Sequence, residues 1–152
     1  MTIKVHLQIL PHGNKEAIPC YQTKGSAGID LPAALDAPVV LNPGTWQLIP
    51  TGLSIAIPQG YEGQIRSRSG LSFKHGIIVL NAPGTIDSDY RGEVKVVLMN
   101  MGSTPFTVEP NMRIAQLVFA TYATATWDLK DDVSADTSTD RGQGGFGSTG
   151  TL

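Results

Sequence analysis

Three stretches of the chain concentrate residues able to do chemistry. In Arg66-Ser67-Arg68-Ser69-Gly70, two guanidinium groups and two hydroxyls precede a glycine. Arginine forks and backbone N–H groups at the start of a short helical turn suit an anion, phosphate above all. The segment from Gly84 to Glu93 (GTIDSDYRGE) gathers Asp87, Asp89, Tyr90 and Arg91. If it is extended, Asp87 and Asp89 share a face, and one carboxylate can act as a base while the other pairs with Arg91. The segment from Arg141 to Gly150 (RGQGGFGSTG) is rich in glycine. Glycines let a backbone approach a ligand closely and form an anion nest, and Phe146 can cover an aromatic ring. Each stretch also has a plainer reading: a solvated loop, a charged turn and a flexible linker, respectively. Gln116 lies inside the apolar run Ile114–Val118, so it is either a satisfied sheet residue or a ligand contact.

Other patterns fail on inspection. Gly142-x-Gly144-x-x-Gly147 satisfies the dinucleotide-binding spacing, but only five residues follow it, too few for the helix that would hold a pyrophosphate. Asp87-x-Asp89 with Gly92 imitates a calcium loop, yet Arg91 occupies a ligand position and Leu98 replaces the bidentate glutamate. His6, His12 and His75 lack metal-ligand spacing, and Cys20 has no neighbour in sequence to act as its base.

The elements that must position these residues read as strands. Ile3, Val5, Leu7 and Ile9 alternate with Lys4, His6 and Gln8, the period of a half-buried strand. Further β-type runs are predicted at Pro38–Leu41, Thr45–Ile49, Leu53–Ile57, Tyr61–Arg66, Ile77–Leu80, Glu93–Met99, Pro105–Val108, Arg113–Phe119 and Tyr122–Trp127. Turn signals such as Asn42-Pro43-Gly44 and Pro58-Gln59-Gly60 separate them. Only Ser69–His75 reads as a short helix, opening on Ser and closing before Gly76. Seventeen glycines and ten prolines in 152 residues agree with an all-β sandwich, jelly roll or barrel. From about Ser134 the composition changes: nineteen residues hold five glycines and only Ala135, Phe146 and Leu152 as apolar side chains. The expected organisation is therefore a domain over residues 1–133 and a mobile tail over 134–152.

Composition narrows the partners. Eleven Lys and Arg against thirteen Asp and Glu leave no cationic excess for nucleic acid or an anionic membrane. One cysteine excludes an internal disulfide and suits a reducing compartment. With no apolar run of membrane length and no basic-then-apolar start, the expected location is the cytoplasm.

Five segments, taken in order, resemble the homotrimeric dUTPase family, the dUTP pyrophosphatases. They are Gly25–Leu31 (GSAGIDL), Arg68–Leu71 (RSGL), Asn81–Glu93 (NAPGTIDSDYRGE), Arg113–Leu117 (RIAQL) and Arg141–Gly150. The resemblance implies a jelly-roll (β-clip) subunit in a threefold trimer whose active sites are shared between subunits. It implies hydrolysis of dUTP to dUMP and pyrophosphate, which limits uracil incorporation into DNA and supplies dUMP for thymidylate synthesis. Asp87 matches the base that activates water. Asn81, Thr85, Ile86 and Lys95 match positions in and around a β-hairpin that holds uracil, and Tyr90 matches the residue against the deoxyribose. Arg68, Ser69, Gly70 and Gln116 match phosphate-binding positions. Arg141, Phe146, Gly147, Ser148 and Thr149 match a closing tail in which Phe146 stacks over the base. Magnesium is expected on the substrate phosphates and waters, with Asp30 near its water shell. Ser67 stands where many members carry proline. The competing readings are a dCTP deaminase-like enzyme, expected to carry glutamate in place of Asp-x-Asp-Tyr, and a catalytically silent trimeric nucleotide-binding module.

Overall fold

The computed structural model describes residues 2–16, 18–135, 139 and 142–145. Ten strands follow one another: β1 (His6–Ile9), β2 (Gly28–Pro32), β3 (Val39–Leu41), β4 (Trp46–Ala56), β5 (Tyr61–Arg66), β6 (Ile77–Val79), β7 (Gly84–Ile86), β8 (Glu93–Asn100), β9 (Phe106–Val108) and β10 (Arg113–Thr121). Among the described residues one α-helix, α1 (Ser69–His75), interrupts them, and a 3-10 turn at Val133–Ala135 follows the last strand. The strands form two four-stranded sheets, ordered β1-β4-β8-β6 and β2-β10-β5-β7, and a small β3-β9 ribbon. All ladders are antiparallel, and the whole is an all-β jelly roll.

Alternation explains which residues make the core. Along β8, Val94, Val96 and Leu98 are buried while Glu93, Lys95, Val97 and Met99 are less so. Leu53, Ile55 and Ile49 of β4 join them from the same sheet, and Leu31, Ile65, Ala115 and Leu117 close the core from the other. Asn100 is fully buried among them. Its Nδ2 donates to the carbonyls of Leu41 and Thr104 and its Oδ1 accepts from the Gly102 N–H, so its amide is satisfied and pins β8 to the ribbon.

The structure alters several expected boundaries. Thr45–Ile49 and Leu53–Ile57 merge into the single strand β4, with a register shift between Pro50 and Leu53. Gly52 has φ of 69° there, and a β-carbon on it would lie 2.3 Å from the Gly13 Cα. Only glycine fits that crossing. β1 begins at His6, leaving Ile3 and Val5 outside the ladder. Tyr122–Trp127 is not a strand: β10 ends at Thr121, and Trp127 is 97% exposed. Alternation predicts a strand only where a neighbouring strand is present to pair with it, and among the described residues none reaches this segment. β2 and β7 were absent from the predicted strands because Gly28 and Gly84-Thr85 disguise them as turn residues. Both glycines face close neighbours: a β-carbon at Gly28 would meet Gln116 Oε1 at 2.2 Å and displace that amide, and one at Gly84 would crowd Asn81 Nδ2 at 3.1 Å.

The expected closing tail falls largely outside the described residues. Arg141, Phe146, Gly147, Ser148 and Thr149 are all among those left out.

Candidate active site

The chemistry-bearing residues gather at the two ends of the sheet β2-β10-β5-β7. At one end, β5 leads through Arg66 and Ser67 into α1. Arg68 is the residue before the helix, with extended backbone (φ −88°, ψ 126°) and no side-chain cap on the first turn. Its Nε donates to Asp30 Oδ1 at 2.9 Å and its Nη1 to the Arg113 carbonyl at 2.8 Å. Arg113 Nη1 reaches the other carboxylate oxygen, Asp30 Oδ2, at 3.1 Å. Two guanidinium groups thus hold one half-buried carboxylate, and the geometry of Arg68 is fixed before any ligand arrives. Gln116 is opposite both Asp30 on β2 and Arg66 on β5, so these three side chains form one row across the sheet. Its Nε2 donates to the Ser67 carbonyl at 2.8 Å, which makes it both a satisfied sheet residue and a neighbour of the arginine turn. Ser69 and Gly70 are exposed on the first turn of α1.

The opposite end carries Asp87. β7 pairs with β5 through Ile86 and Gly63, so Asp87 emerges beside the start of β5. It lines an open cleft of about 660 Å³ with Ser88, Asp89, Arg91, Gln59, Ile57 and Tyr122. Of the two readings of this segment the charged turn holds: Ser88–Asp89 form a turn closed by Tyr90 N–H to Asp87 carbonyl at 3.2 Å. The pairing of Arg91 with an aspartate is corrected. Its Nη1 donates to the carbonyls of Ser88 and Tyr90, each at 2.7 Å, and so braces the turn itself. Asp87 is left exposed, free to meet water or substrate.

Around this turn the expected hairpin becomes a crossing between sheets, because β7 pairs with β5 whereas β8 pairs with β4 and β6. Asn81, Thr85 and Ile86 stay on the β7 side, with Asn81 lying over Gly84. Tyr90 folds over Gly92 and donates from its hydroxyl to the Glu93 carbonyl at 2.9 Å. Lys95 is exposed on β8, its Nζ 3.7 Å from Glu93 Oε2. Glu93 itself is nearly covered. Burial pushes its carboxyl up, but contact with His12 Nε2 at 2.7 Å and the Gly52 N–H at 2.9 Å outweighs that and holds it below its ordinary value.

Within one chain the two ends do not meet. Asp87 is level with Glu62, whereas Gln116 is level with Arg66, four positions along β5, or roughly 13 Å at about 3.3 Å per residue, and Arg68 lies beyond that end. A base and the groups steadying the phosphate it acts upon must be within a few ångströms of the same atoms. The Arg68 cluster and the Asp87 cluster are therefore separate groupings within this chain.

Sequence reasoning gave no role to Arg113, Gln59 or Tyr122. Arg113 stood inside a quoted segment but was given no partner. Gln59 and Tyr122 reach the cleft only because the β4–β5 turn and the end of β10 converge there, as the Tyr122 N–H to Gly60 carbonyl bond records. Nothing in linear spacing announces that convergence.

Comparison with known proteins agrees with this architecture. The chain is 50% identical over 150 residues to the deoxyuridine 5'-triphosphate nucleotidohydrolase of Orientia tsutsugamushi (strain Boryong), covering 99% of each. Its fold superposes on the Staphylococcus bacteriophage 80alpha dUTPase solved with dUpNHpp, with TM-score 0.86 and 26% identity over 98% of this chain and 99% of that one. The fold alone is shared with a mutant dUTPase of phage phi11 of S. aureus, a structure describing a coordinated structural Mg(II) ion (TM-score 0.75, 22% identity, 87% and 99% covered). The dUTPase family description matches residues 14–150. With nearly every strand and both clusters inside that match, the chain belongs to the dUTPase family.

Proposed function

We propose that this chain hydrolyses dUTP to dUMP and pyrophosphate at sites completed between copies of itself. The family membership carries the activity, and neither a deaminase nor a silent binding module is favoured by it. The division of labour is our reading of the geometry. Asp87, exposed in its cleft, takes the proton of the attacking water. Arg68, Ser69, Gly70 and Gln116 hold phosphate oxygens, with the Arg68 fork aimed in advance by Asp30 and the Arg113 carbonyl. Asn81, Thr85, Ile86 and Lys95 border the uracil, where backbone donors and acceptors reject the pattern that cytosine presents. Tyr90, braced on Glu93, packs against the sugar and leaves no room for a ribose 2′-hydroxyl. Arg141, Phe146, Gly147, Ser148 and Thr149 close over the nucleotide and exclude water.

Magnesium fits this donor set as a companion of the substrate. Both Asp30 oxygens already accept from arginines, whereas magnesium favours phosphate oxygens and retained waters. When bound it would neutralise charge developing on the phosphates. Asp30 would contact only its water shell.

Two observations support assembly as a trimer. The Asp87 and Gln116 levels are about 13 Å apart along β5 in one chain, with Arg68 farther on, and large apolar residues such as Trp46, Leu48 and Met101 are more than half exposed. Among the described residues no helix is long and apolar enough to cross a membrane. We place the enzyme in the cytoplasm, where its lone cysteine stays reduced. Pyrophosphate release from a panel of dUTP, dCTP, dTTP and UTP with magnesium tests the reading. Turnover confined to dUTP is expected, and ammonia release or comparable turnover of dCTP would overturn it.

A further inference from the structure

Ser67 makes two hydrogen bonds that tie together elements from both sheets. Its Oγ accepts the Val79 N–H at 2.8 Å, and its carbonyl accepts Gln116 Nε2 at 2.8 Å. Val79 is on β6, the edge strand of its sheet. The next N–H, that of Leu80, donates to the Val97 carbonyl on β8, so successive N–H groups alternate sides and that of Val79 faces the open edge. Without the Ser67 hydroxyl this donor, on a buried residue, would have no partner among the described residues. One residue on, Arg68 is fixed by Asp30 and by the Arg113 carbonyl.

We propose that Ser67 is a positioning residue for phosphate binding. Its hydroxyl fastens the Arg66–Ser69 turn to the edge of the opposite sheet. Its carbonyl fastens the Gln116 amide, which keeps a second N–H for ligand. Arg68 and Gln116 thereby hold a fixed spacing although they come from different strands. A proline at this position would constrain the turn through its ring, but would leave the Val79 N–H unmet. The inference rests on the reading above that Arg68 and Gln116 contact phosphate.

The experiment compares two ligands that differ in the outer phosphates. Calorimetric affinities of dUpNHpp with magnesium and of dUMP are measured for the full-length wild type, Ser67→Ala, Ser67→Cys and Ser67→Thr, alongside thermal melting. Loss of one such hydrogen bond should weaken dUpNHpp binding by about three- to tenfold in Ser67→Ala, with dUMP changed less than about twofold. Ser67→Thr, which keeps the hydroxyl, should return to within about twofold of wild type. If Ser67→Ala does not fold, Ser67→Cys must show the same selectivity, because its thiol is a weak acceptor of similar shape. Equal loss for both ligands, or unchanged dUpNHpp affinity, would overturn the proposal. A wild-type protein that neither binds dUpNHpp nor releases pyrophosphate would instead overturn the functional reading, and needs no variant to detect.

Discussion

The two ends of the sheet β2-β10-β5-β7 are built differently. At the Arg68 end, guanidinium, carboxylate and amide groups are engaged with one another or with backbone carbonyls, partly out of water. At the Asp87 end the carboxylate is exposed in an open cleft, and the nearby bonds brace the turn without touching it. The first arrangement is preorganised for charge, and the second leaves a carboxylate accessible to water, as the proposed base requires. A group that must release and take up protons is better left unpaired, whereas one that must resist recoil of charged phosphates is better held.

The largest expected effect falls on the loose end. Asp87→Asn should lower kcat by ~10²–10⁴-fold while leaving dUpNHpp affinity nearly unchanged. A variant keeping more than about a tenth of wild-type kcat would end its role as base. Next in size, deleting residues 141–152 should leave a folded trimer that binds nucleotide weakly and has lost most of its kcat. Phe146→Ala should fall between that deletion and wild type. Ordering a glycine-rich segment costs roughly 1–2 kcal/mol per residue, so closure needs its contacts together. Wild-type turnover by the truncated chain would reduce this segment to a linker.

At the held end, Asp30→Asn removes the charge partner of two arginines. We expect about 1–2 kcal/mol less stability, discounted for partial exposure, and a rise in KM larger than the fall in kcat. Urea titration and steady-state kinetics read the two consequences separately, and an unchanged KM would deny that Asp30 aims Arg68. The smallest effect concerns Glu93. Its folded-state carboxyl is held below its ordinary 4.5, so its contacts stabilise the fold above that value and are lost as pH falls through the lowered one. His12→Ala should therefore cost under about 1 kcal/mol at pH 6, with the difference from wild type shrinking on acidification below about pH 4. A His12→Ala deficit that persists unchanged at pH 3 would exclude this linkage.

Much of this was legible in the sequence where one physical period governs. The alternation in Glu93–Met99 and Tyr61–Arg66 marks strands that the structure contains, and Ser69–His75 is the helix, ending on Gly76 at φ 67°. Legibility failed where a residue answers to a distant neighbour. Gly28 looks like a turn residue until Gln116 is seen against it, and Tyr122–Trp127 alternates without a strand beside it. Within the candidate site, the segments were readable but their distribution was not. No spacing in the chain reveals that Arg68 and Asp87 lie at opposite ends of one sheet, or that Arg91 braces the turn carbonyls and not an aspartate.

The register shift in β4 has a consequence for how this domain tolerates change in length. Pro50 pairs with Lys95 and Leu53 with Val94, so β4 carries two residues, Thr51 and Gly52, that β8 does not match. Two is an even number. Side chains on a strand change sides with every residue, and an even excess leaves Ile49, Leu53, Ile55 and Ile57 all pointing inward across the break. An odd excess would invert one half of the strand, carrying Leu53 and Ile55 to the surface or Trp46 and Leu48 into the core, unless a further bulge set two adjacent residues on one face. Insertions or deletions in pairs therefore preserve its faces at this point, whereas a single one must be absorbed by such a bulge.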